Sequence, residues 1–240
     1  MFTVLIPSRG CEVGLWATIA ACDMAGHTGR YIVLVNGGPV DENLKWAQGY
    51  SKRIQIEHSP EPVPYTFARN RLVELATTEY VVFFDNHCLP QHGYFERVLR
   101  SVTETGCDYL HGSYSPHIGN LTYFHQIAVE GDLKRADYSR VPFRDEPYRC
   151  MGGPHAGLVA KKASWHGYWM GHEGYGLDEV YFNLSAWEKG LQCWLDPQLH
   201  YFHYSVRERE YPRPRNAKWG PELDLKALQE KFEKENIAWR

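Results

Sequence analysis

The chain has 240 residues, a length that accommodates one large domain or two small ones. Hydrophobic residues make up 43% and charged residues 23% of it, as is typical of a globular protein. Its formal net charge of −3 argues against a basic nucleic-acid-binding footprint over the whole surface, although a local one is still open. No apolar run reaches 18 residues, so no membrane span is expected.

The first half of the chain alternates strand-like and helical patterns. Strands are predicted at residues 2–6, 31–35, 54–57 and 80–84, and helices at residues 15–24, 65–76 and 95–102. The runs at 2–6, 31–35 and 80–84 lack a regular polar alternation, which predicts strands that are covered on both faces. Strands that alternate with helices predict crossover connections and a mostly parallel α/β sheet.

The second half is less regular. It is predicted to contain a strand at 109–114, a loop or helical insertion at 128–149, a helix at 180–189, a strand-like stretch at 199–204 and an amphipathic helix at 221–237 that places Leu225, Leu228 and Phe232 on one face. Residues 205–221 contain four arginines and three prolines, so we predict an extended, mobile segment there.

The six cysteines show no Cys-x-x-Cys spacing, and the N-terminus has no signal-peptide layout. We interpret the cysteines as reduced, mostly buried thiols. A cytoplasmic protein is the expectation that follows.

Polar clusters follow three of the predicted strands. They are Pro7-Ser8-Arg9, Asn36-Gly37-Gly38 and Asp85-Asn86-His87. In open α/β sheets the ligand crevice lies beyond the carboxyl ends of the strands. The three clusters together therefore predict a binding site at that edge of the sheet.

Asp85 and His87 are candidate metal ligands. If strand geometry persists beyond Phe84, these two side chains point the same way and face one ion. A carboxylate with an imidazole suits Mn²⁺ better than an oxygen-only site would. A divalent ion there would neutralise a diphosphate and assist its departure. A helix cap and a turn after a core strand is an equally open interpretation.

Asp178 and Glu179 form an acidic pair in front of a predicted helix. Such a pair often does no more than cap the helix and complement its dipole. In the functional interpretation, one acid deprotonates an acceptor hydroxyl or holds the hydroxyls of a donor sugar. His203 lies on the same strand face as Leu199 and Tyr201, and it becomes informative only beside Asp85 and His87.

Several segments carry a resemblance to a known family. In order they are Val4-Leu5-Ile6-Pro7, Ala68-Arg69-Asn70, Phe83-Phe84-Asp85-Asn86-His87-Cys88, and then Tyr175, Gly176, Asp178, Trp187, Gly190, Pro197 and His203. Over residues 2–205 the chain resembles GT-A glycosyltransferases of the family-two type. Within them it is similar to the polypeptide N-acetylgalactosaminyltransferases, in which the usual Asp-x-Asp becomes Asp-x-His-Cys.

The resemblance implies a GT-A, Rossmann-like domain in residues 1–205, with a mostly parallel central sheet flanked by helices. Residues 206–240 would form an arginine-rich lid, containing Arg207, and a C-terminal amphipathic helix. The implied co-substrate is a nucleotide sugar, which we expect to be UDP-linked. The implied cofactor is Mn²⁺, or Mg²⁺, held by Asp85, His87 and His203.

The resemblance also implies roles for further residues. Pro7, Arg9 and Asn36 match the region that holds the nucleoside, and Arg69 the region beside the diphosphate. Asp85 and Asn86 belong to the donor-binding motif, and Gly152-Gly153 matches the element that lines the sugar and acceptor pocket. Asp178 and Glu179 match the paired acidic motif, whose second acid is often the base in inverting members.

The chain departs from the family pattern at two positions. Asn36 replaces the usual nucleoside-binding Asp, so hydrogen bonding to the base differs. Glu179 stands where the retaining N-acetylgalactosaminyltransferases have Asn, which leaves retention or inversion open. The membrane anchor and lectin domain of the secretory-pathway enzymes are not recognised either. These departures lead us to expect a bacterial or phage-encoded cytoplasmic enzyme.

The acceptor is open among a protein side chain, a glycan, a small metabolite and a modified DNA base. Arginines and aromatic residues interleave in the segment 135–149, as in a nucleic-acid-binding surface, but its acidic residues weaken that interpretation. Two alternatives come from other classes. The first is a nucleotidyltransferase on a related sheet, and the second is an inactive sugar-binding module.

Overall fold

We describe a computed structural model of the chain. It describes residues 2–8, 13–37, 51–115, 126–130, 135–139, 144–169, 178–203 and 223–237, together with residues 42, 45, 48 and 49. None of the helices in these ranges is long and apolar enough to cross a membrane. The five cysteines in these ranges are buried and not bonded to one another.

Eleven strands and five α-helices are described. The strands are β1 (Phe2–Ser8), β2 (Arg30–Asn36), β3 (Ile54–Ser59), β4 (Tyr80–Phe83), β5 (Cys88–Pro90), β6 (Tyr109–Ser115), β7 (Gln126–Glu130), β8 (Arg135–Ser139), β9 (Tyr148–Arg149), β10 (Val159–Lys161) and β11 (Cys193–His203). The helices are α1 (Val13–Met24), α2 (Tyr65–Leu75), α3 (Tyr94–Thr105), α4 (Asp178–Glu188) and α5 (Leu225–Lys234).

Nine of the strands form one sheet in the order β3-β2-β1-β4-β10-β6-β11-β5, with β9 beside β11. Strands β1, β2, β3, β4, β6 and β11 run in one direction, while β5, β9 and β10 run against them. The predicted α/β fold, with a mostly parallel central sheet flanked by helices, is confirmed.

Strands β1, β2 and β4 are buried on both faces, which explains the apolar runs without polar alternation. Val4 and Ile6 of β1 face a core that includes Leu15 of α1. Leu5 faces the opposite core, which includes Leu72 of α2. Consecutive strand residues therefore enter different cores, and both must be apolar.

The prediction for residues 128–149 was wrong. Strands β7 and β8 form an antiparallel hairpin there, with Gln126 opposite Ser139, and β9 joins the main sheet beside β11. Strands β7 and β8 are only five residues long, and Ile127 and Val129 of β7 lie opposite Tyr138 and Ala136 of β8. Apolar runs this short do not separate a strand from a helix, so the sequence did not reveal these strands. Residues 204–222, which contain the whole of the predicted extended segment 205–221, lie outside the described residues.

The C-terminal helix α5 packs against α4. Asp224 caps α5 by accepting a 2.9 Å hydrogen bond from the backbone N–H of Ala227. Phe232 is buried, and its ring centroid lies 4.8 Å from that of Trp187 in an edge-to-face arrangement. Lys231 Nζ donates a 2.7 Å hydrogen bond to the carbonyl oxygen of Trp187. These contacts fix the C-terminal helical tail on the helix that begins with the acidic pair.

Buried histidines predict that the fold weakens in mild acid. Burial is the main cause that lowers the pKa of four imidazoles to about 4, namely His27, His111, His166 and His200. Since the unfolded pKa is about 6.5, their contribution to stability is fully present above pH 6.5 and is lost as the pH falls toward 4. Each of them contributes a slope of up to about 1.4 kcal/mol per pH unit in that window.

Urea denaturation between pH 7.5 and 4.5 measures this effect. The free energy of unfolding is expected to fall continuously below pH 6.5, and His200→Gln is expected to reduce the slope by one histidine's share. An unfolding free energy that stays constant down to pH 5 would contradict the prediction.

Candidate active site

The segment Asp85–His87 forms a turn between β4 and β5. The backbone N–H of Cys88 donates a 3.2 Å hydrogen bond to the carbonyl oxygen of Asp85, which closes the turn. Strand geometry therefore does not continue beyond β4, contrary to the premise used above for Asp85 and His87. The short strand β5 instead pairs antiparallel with β11, with Cys88 opposite His203. This pairing brings His203 to the turn.

Asp85, His87 and His203 meet at this turn. One ligand atom from each side chain lies within 4.8 Å of the other two. Nε2 of His203 is 3.1 Å from Oδ2 of Asp85, and the two imidazole centroids are 4.5 Å apart. One carboxylate with two imidazoles is a donor set that suits a first-row divalent cation such as Mn²⁺. The three residues thus form a candidate metal site.

Asn86 contacts both His87 and the end of strand β1. Its Oδ1 lies 2.9 Å from Nδ1 of His87, and its Nδ2 donates a 3.1 Å hydrogen bond to Oγ of Ser8 at the end of β1. A hydrogen bond at one ring nitrogen fixes the orientation of a metal-binding histidine. The amide is buried, and its contacts connect two of the three polar clusters predicted at the strand ends.

The Asp85 carboxyl is held in its ionised form. Burial would raise its pKa, but the hydrogen bond with His203 and the positive charge of Arg69 hold that pKa well below its usual range. An ionised carboxylate is the form that binds a cation. Asp85 is therefore ready to act as a ligand at neutral pH.

Arg69 lies in the protein interior behind Asp85. It is 1% exposed, and its guanidinium nitrogens lie 3.8 Å from the carboxylate of Asp85 and 3.5 Å from that of Glu179. It also donates hydrogen bonds to the hydroxyls of Tyr65 and Tyr168. Burial would lower its pKa, but the neighbouring phenol and carboxylate oxygens raise the pKa of the guanidinium instead. Arg69 thus connects the candidate metal site with the acidic pair.

The acidic pair opens helix α4 beside this arginine. Oε1 of Glu179 faces Arg69 and accepts a 3.2 Å hydrogen bond from the backbone N–H of His155. Asp178 is 9% exposed at the first position of the helix. Glu179 and Asp85 therefore both lie beside Arg69. Asp178 and Glu179 also occupy the first turn of a helix, as the capping interpretation predicts.

Gly152 and Gly153 pass between α4 and β6. A Cβ atom on Gly152 would lie 2.3 Å from Cγ of Asn183, and one on Gly153 would lie 2.9 Å from Cβ of His111. The φ of Gly152 is +153°, which also favours glycine. The carbonyl oxygen of Gly153 accepts a 3.0 Å hydrogen bond from Nδ2 of Asn183. These glycines allow the chain to approach the helix of the acidic pair.

The remaining predicted residues lie at the neighbouring strand ends or outside the described ranges. Pro7 is in β1 beside Leu34 of β2. Asn36 exchanges two hydrogen bonds with the backbone of Val63, of 2.9 and 2.7 Å, and so anchors the segment that leads into α2. Arg9 and Arg207 fall outside the described residues.

Sequence reasoning missed three aromatic and histidine side chains in this region. Tyr65 donates a 2.7 Å hydrogen bond to Oδ1 of Asp85, and Tyr168 contacts both Arg69 and Nδ1 of His155. Tyr65 could have been found, because a residue four positions before Arg69 lies on the same face of a helix. The other two come from a distant, irregular segment whose sequence carries no comparable signal.

Comparisons with known proteins identify the family to which the chain belongs. The family model described as glycosyl transferase family 2 matches residues 3–158, which is more than half of the chain. The chain belongs to glycosyl transferase family 2. A search among curated proteins finds no match.

Solved structures of glycosyltransferases share the GT-A fold of this family-2 chain. GalNAc-T7 with UDP, GalNAc and Mn²⁺ superposes with a TM-score of 0.73 at 11% identity, over 85% of this chain and 44% of that one. TarS 1–349 from S. aureus superposes with a TM-score of 0.62 at 13% identity, and its complex with UDP with 0.61 at 12%, each over 85% of this chain and 60% of that one. The chain thus spans about half the length of these chains.

Proposed function

We propose that this family-2 chain is a metal-dependent glycosyltransferase that moves a sugar from a UDP-linked donor to a hydroxyl acceptor. The observation that carries the proposal is the meeting of Asp85, His87 and His203, with Arg69 lying between Asp85 and Glu179. Residues 85 and 203 are 118 positions apart, and the site lies at the carboxyl end of β4. Ligands of open α/β sheets bind at this edge.

Asp85, His87 and His203 would hold the cation, which their oxygen and nitrogen donors fit. When bound, a divalent cation supplies neutralisation of the charge on a departing nucleoside diphosphate. The GalNAc-T7 structure contains UDP and Mn²⁺, which supports the same assignment here. Pro7, Asn36 and Asn86 lie at the adjoining strand ends, where we place the nucleoside. We propose Gly152-Gly153 beside the sugar, and Arg9 and Arg207 near the donor.

Glu179 or Asp178 would orient the acceptor hydroxyl or accept its proton. Arg69 and the backbone N–H of His155 hold the Glu179 carboxylate in one position. This favours catalysis because the carboxylate loses less conformational freedom on reaching the transition state. Both acids also lie in the first turn of helix α4, where they complement the helix dipole. Their chemical role is therefore tested by substituting them and measuring sugar transfer. The sequence and the fold leave four acceptor classes, which were named above.

A thermal-shift screen of nucleotide sugars with and without Mn²⁺ tests the proposal. A UDP-sugar is expected to raise the melting temperature only when Mn²⁺ is present. At a donor concentration of 100 times Kd the stabilisation is about 2.7 kcal/mol, equivalent to roughly 5–10 °C for a chain of this length. GDP- and ADP-sugars, Mn²⁺ alone and UDP-sugar with EDTA serve as controls.

Two results would contradict the proposal. If the UDP-sugar raises the melting temperature equally in Mn²⁺ and in EDTA, donor binding does not require the metal. Pyrophosphate release from a nucleoside triphosphate, without release of UDP from a UDP-sugar, would identify a nucleotidyltransferase instead.

A further inference from the structure

The two oxygens of the Asp85 carboxylate have different neighbours. Oδ1 accepts a 2.7 Å hydrogen bond from the hydroxyl of Tyr65, whereas Oδ2 lies 3.1 Å from Nε2 of His203. The carboxylate is thus held between helix α2 on one side and strand β11 on the other. Its orientation, and hence which oxygen faces the two histidines, depends on the partner of Oδ1.

Tyr65 is fixed in turn by Arg69. The guanidinium carbon lies 4.1 Å from the centroid of the Tyr65 ring, and the guanidinium donates a hydrogen bond to the Tyr65 hydroxyl. Because the hydroxyl oxygen accepts from Arg69, its own proton is directed to Oδ1 of Asp85. The residues from Arg69 through Tyr65 to Asp85 therefore form a chain of hydrogen bonds with one defined direction.

We propose that Tyr65 is a positioning residue of the candidate metal site. This inference rests on the proposed function. The Tyr65 hydroxyl occupies Oδ1 and holds the rotamer of Asp85 that presents Oδ2 to a divalent cation shared with His87 and His203. Hydrogen-bond partners of metal ligands usually change metal affinity by about 10- to 100-fold when they are removed.

The variant Tyr65→Phe separates this role from packing. It removes the hydroxyl and keeps the ring that lies against Arg69. The full-length variant is titrated with MnCl₂ alone, without nucleotide, and free Mn²⁺ is measured by electron paramagnetic resonance. The dissociation constant for Mn²⁺ is expected to rise about 10-fold or more, while the melting temperature stays close to that of the control below.

The variant Tyr31→Phe is the matched control. Tyr31 also donates a short hydrogen bond to a carboxylate, 2.6 Å to Oδ1 of Asp23, but its partner does not belong to the candidate metal site. Its Mn²⁺ affinity is expected to equal that of the unmodified chain. Unchanged Mn²⁺ affinity in Tyr65→Phe, or an equal loss in both variants, would overturn the positioning role.

The experiment distinguishes this inference from the proposed function. Because no nucleotide sugar is present, an unchanged affinity in Tyr65→Phe removes the positioning role and leaves the transferase proposal standing. If the unmodified chain binds Mn²⁺ but transfers no sugar, the transferase proposal is removed and the positioning role of Tyr65 is left standing. An unmodified chain that fails to bind Mn²⁺ would overturn both.

Discussion

Replacing His203 by alanine is expected to abolish metal-dependent sugar transfer and to leave the fold intact. The imidazole is half-buried at the last position of β11, so its removal opens no core cavity. A bound metal stabilises developing charge by several kcal/mol, and each 1.4 kcal/mol changes a rate about tenfold, so transfer should fall about 100-fold or more. Asp85→Ala should have the same effect on transfer. Release of UDP from the UDP-sugar that the thermal-shift screen selects, measured across a Mn²⁺ titration, checks both variants.

The variant His92→Ala is the matched control for His203→Ala. His92 is exposed in the turn after β5, close in sequence to the site but outside the candidate metal cluster. It should retain full transfer and the same Mn²⁺ dependence. Full activity in His203→Ala, with circular dichroism showing the native fold in all three variants, would remove His203 from the metal site.

Replacing Arg69 by methionine is expected to destabilise the whole chain. The guanidinium faces Asp85 and Glu179 and is almost fully buried, so its removal leaves two acidic groups without their shared cation. Breaking a buried ion pair in this way typically costs about 3–5 kcal/mol. For a chain of this length the melting temperature should fall by on the order of 10 °C. Differential scanning calorimetry at pH 7.5 measures the change.

The variant Arg71→Met is the control on the same helix. Arg71 forms ion pairs of 3.0 Å with Glu57 and 3.2 Å with Glu74, but on the surface. Exposed pairs contribute little to stability, so the melting temperature should hardly change. Similar melting temperatures for the two variants would show that Arg69 does not stabilise the fold through the carboxylates of Asp85 and Glu179.

Some strands and helices were predictable from local sequence patterns. The apolar runs at residues 2–6, 31–35 and 80–84 marked the buried strands, because a strand covered on both faces cannot alternate. The amphipathic spacing of Leu228 and Phe232 marked helix α5, whose buried face rests on α4. The pairing of β7 with β8 was not predicted, since each strand is only five residues long and so short a run does not separate a strand from a helix.

For the candidate site, the sequence alone determined the residue types and the strand ends where they occur. Asp85 and His87 follow a buried strand, and the acidic pair precedes a helix. Only the tertiary structure decided which of these residues meet. His203 reaches Asp85 because β5 pairs with β11, and Arg69 of helix α2 meets Glu179 because helix α4 places that carboxylate 3.5 Å from it. Contacts between residues more than a hundred positions apart arise from sheet register and helix packing, which no local pattern encodes.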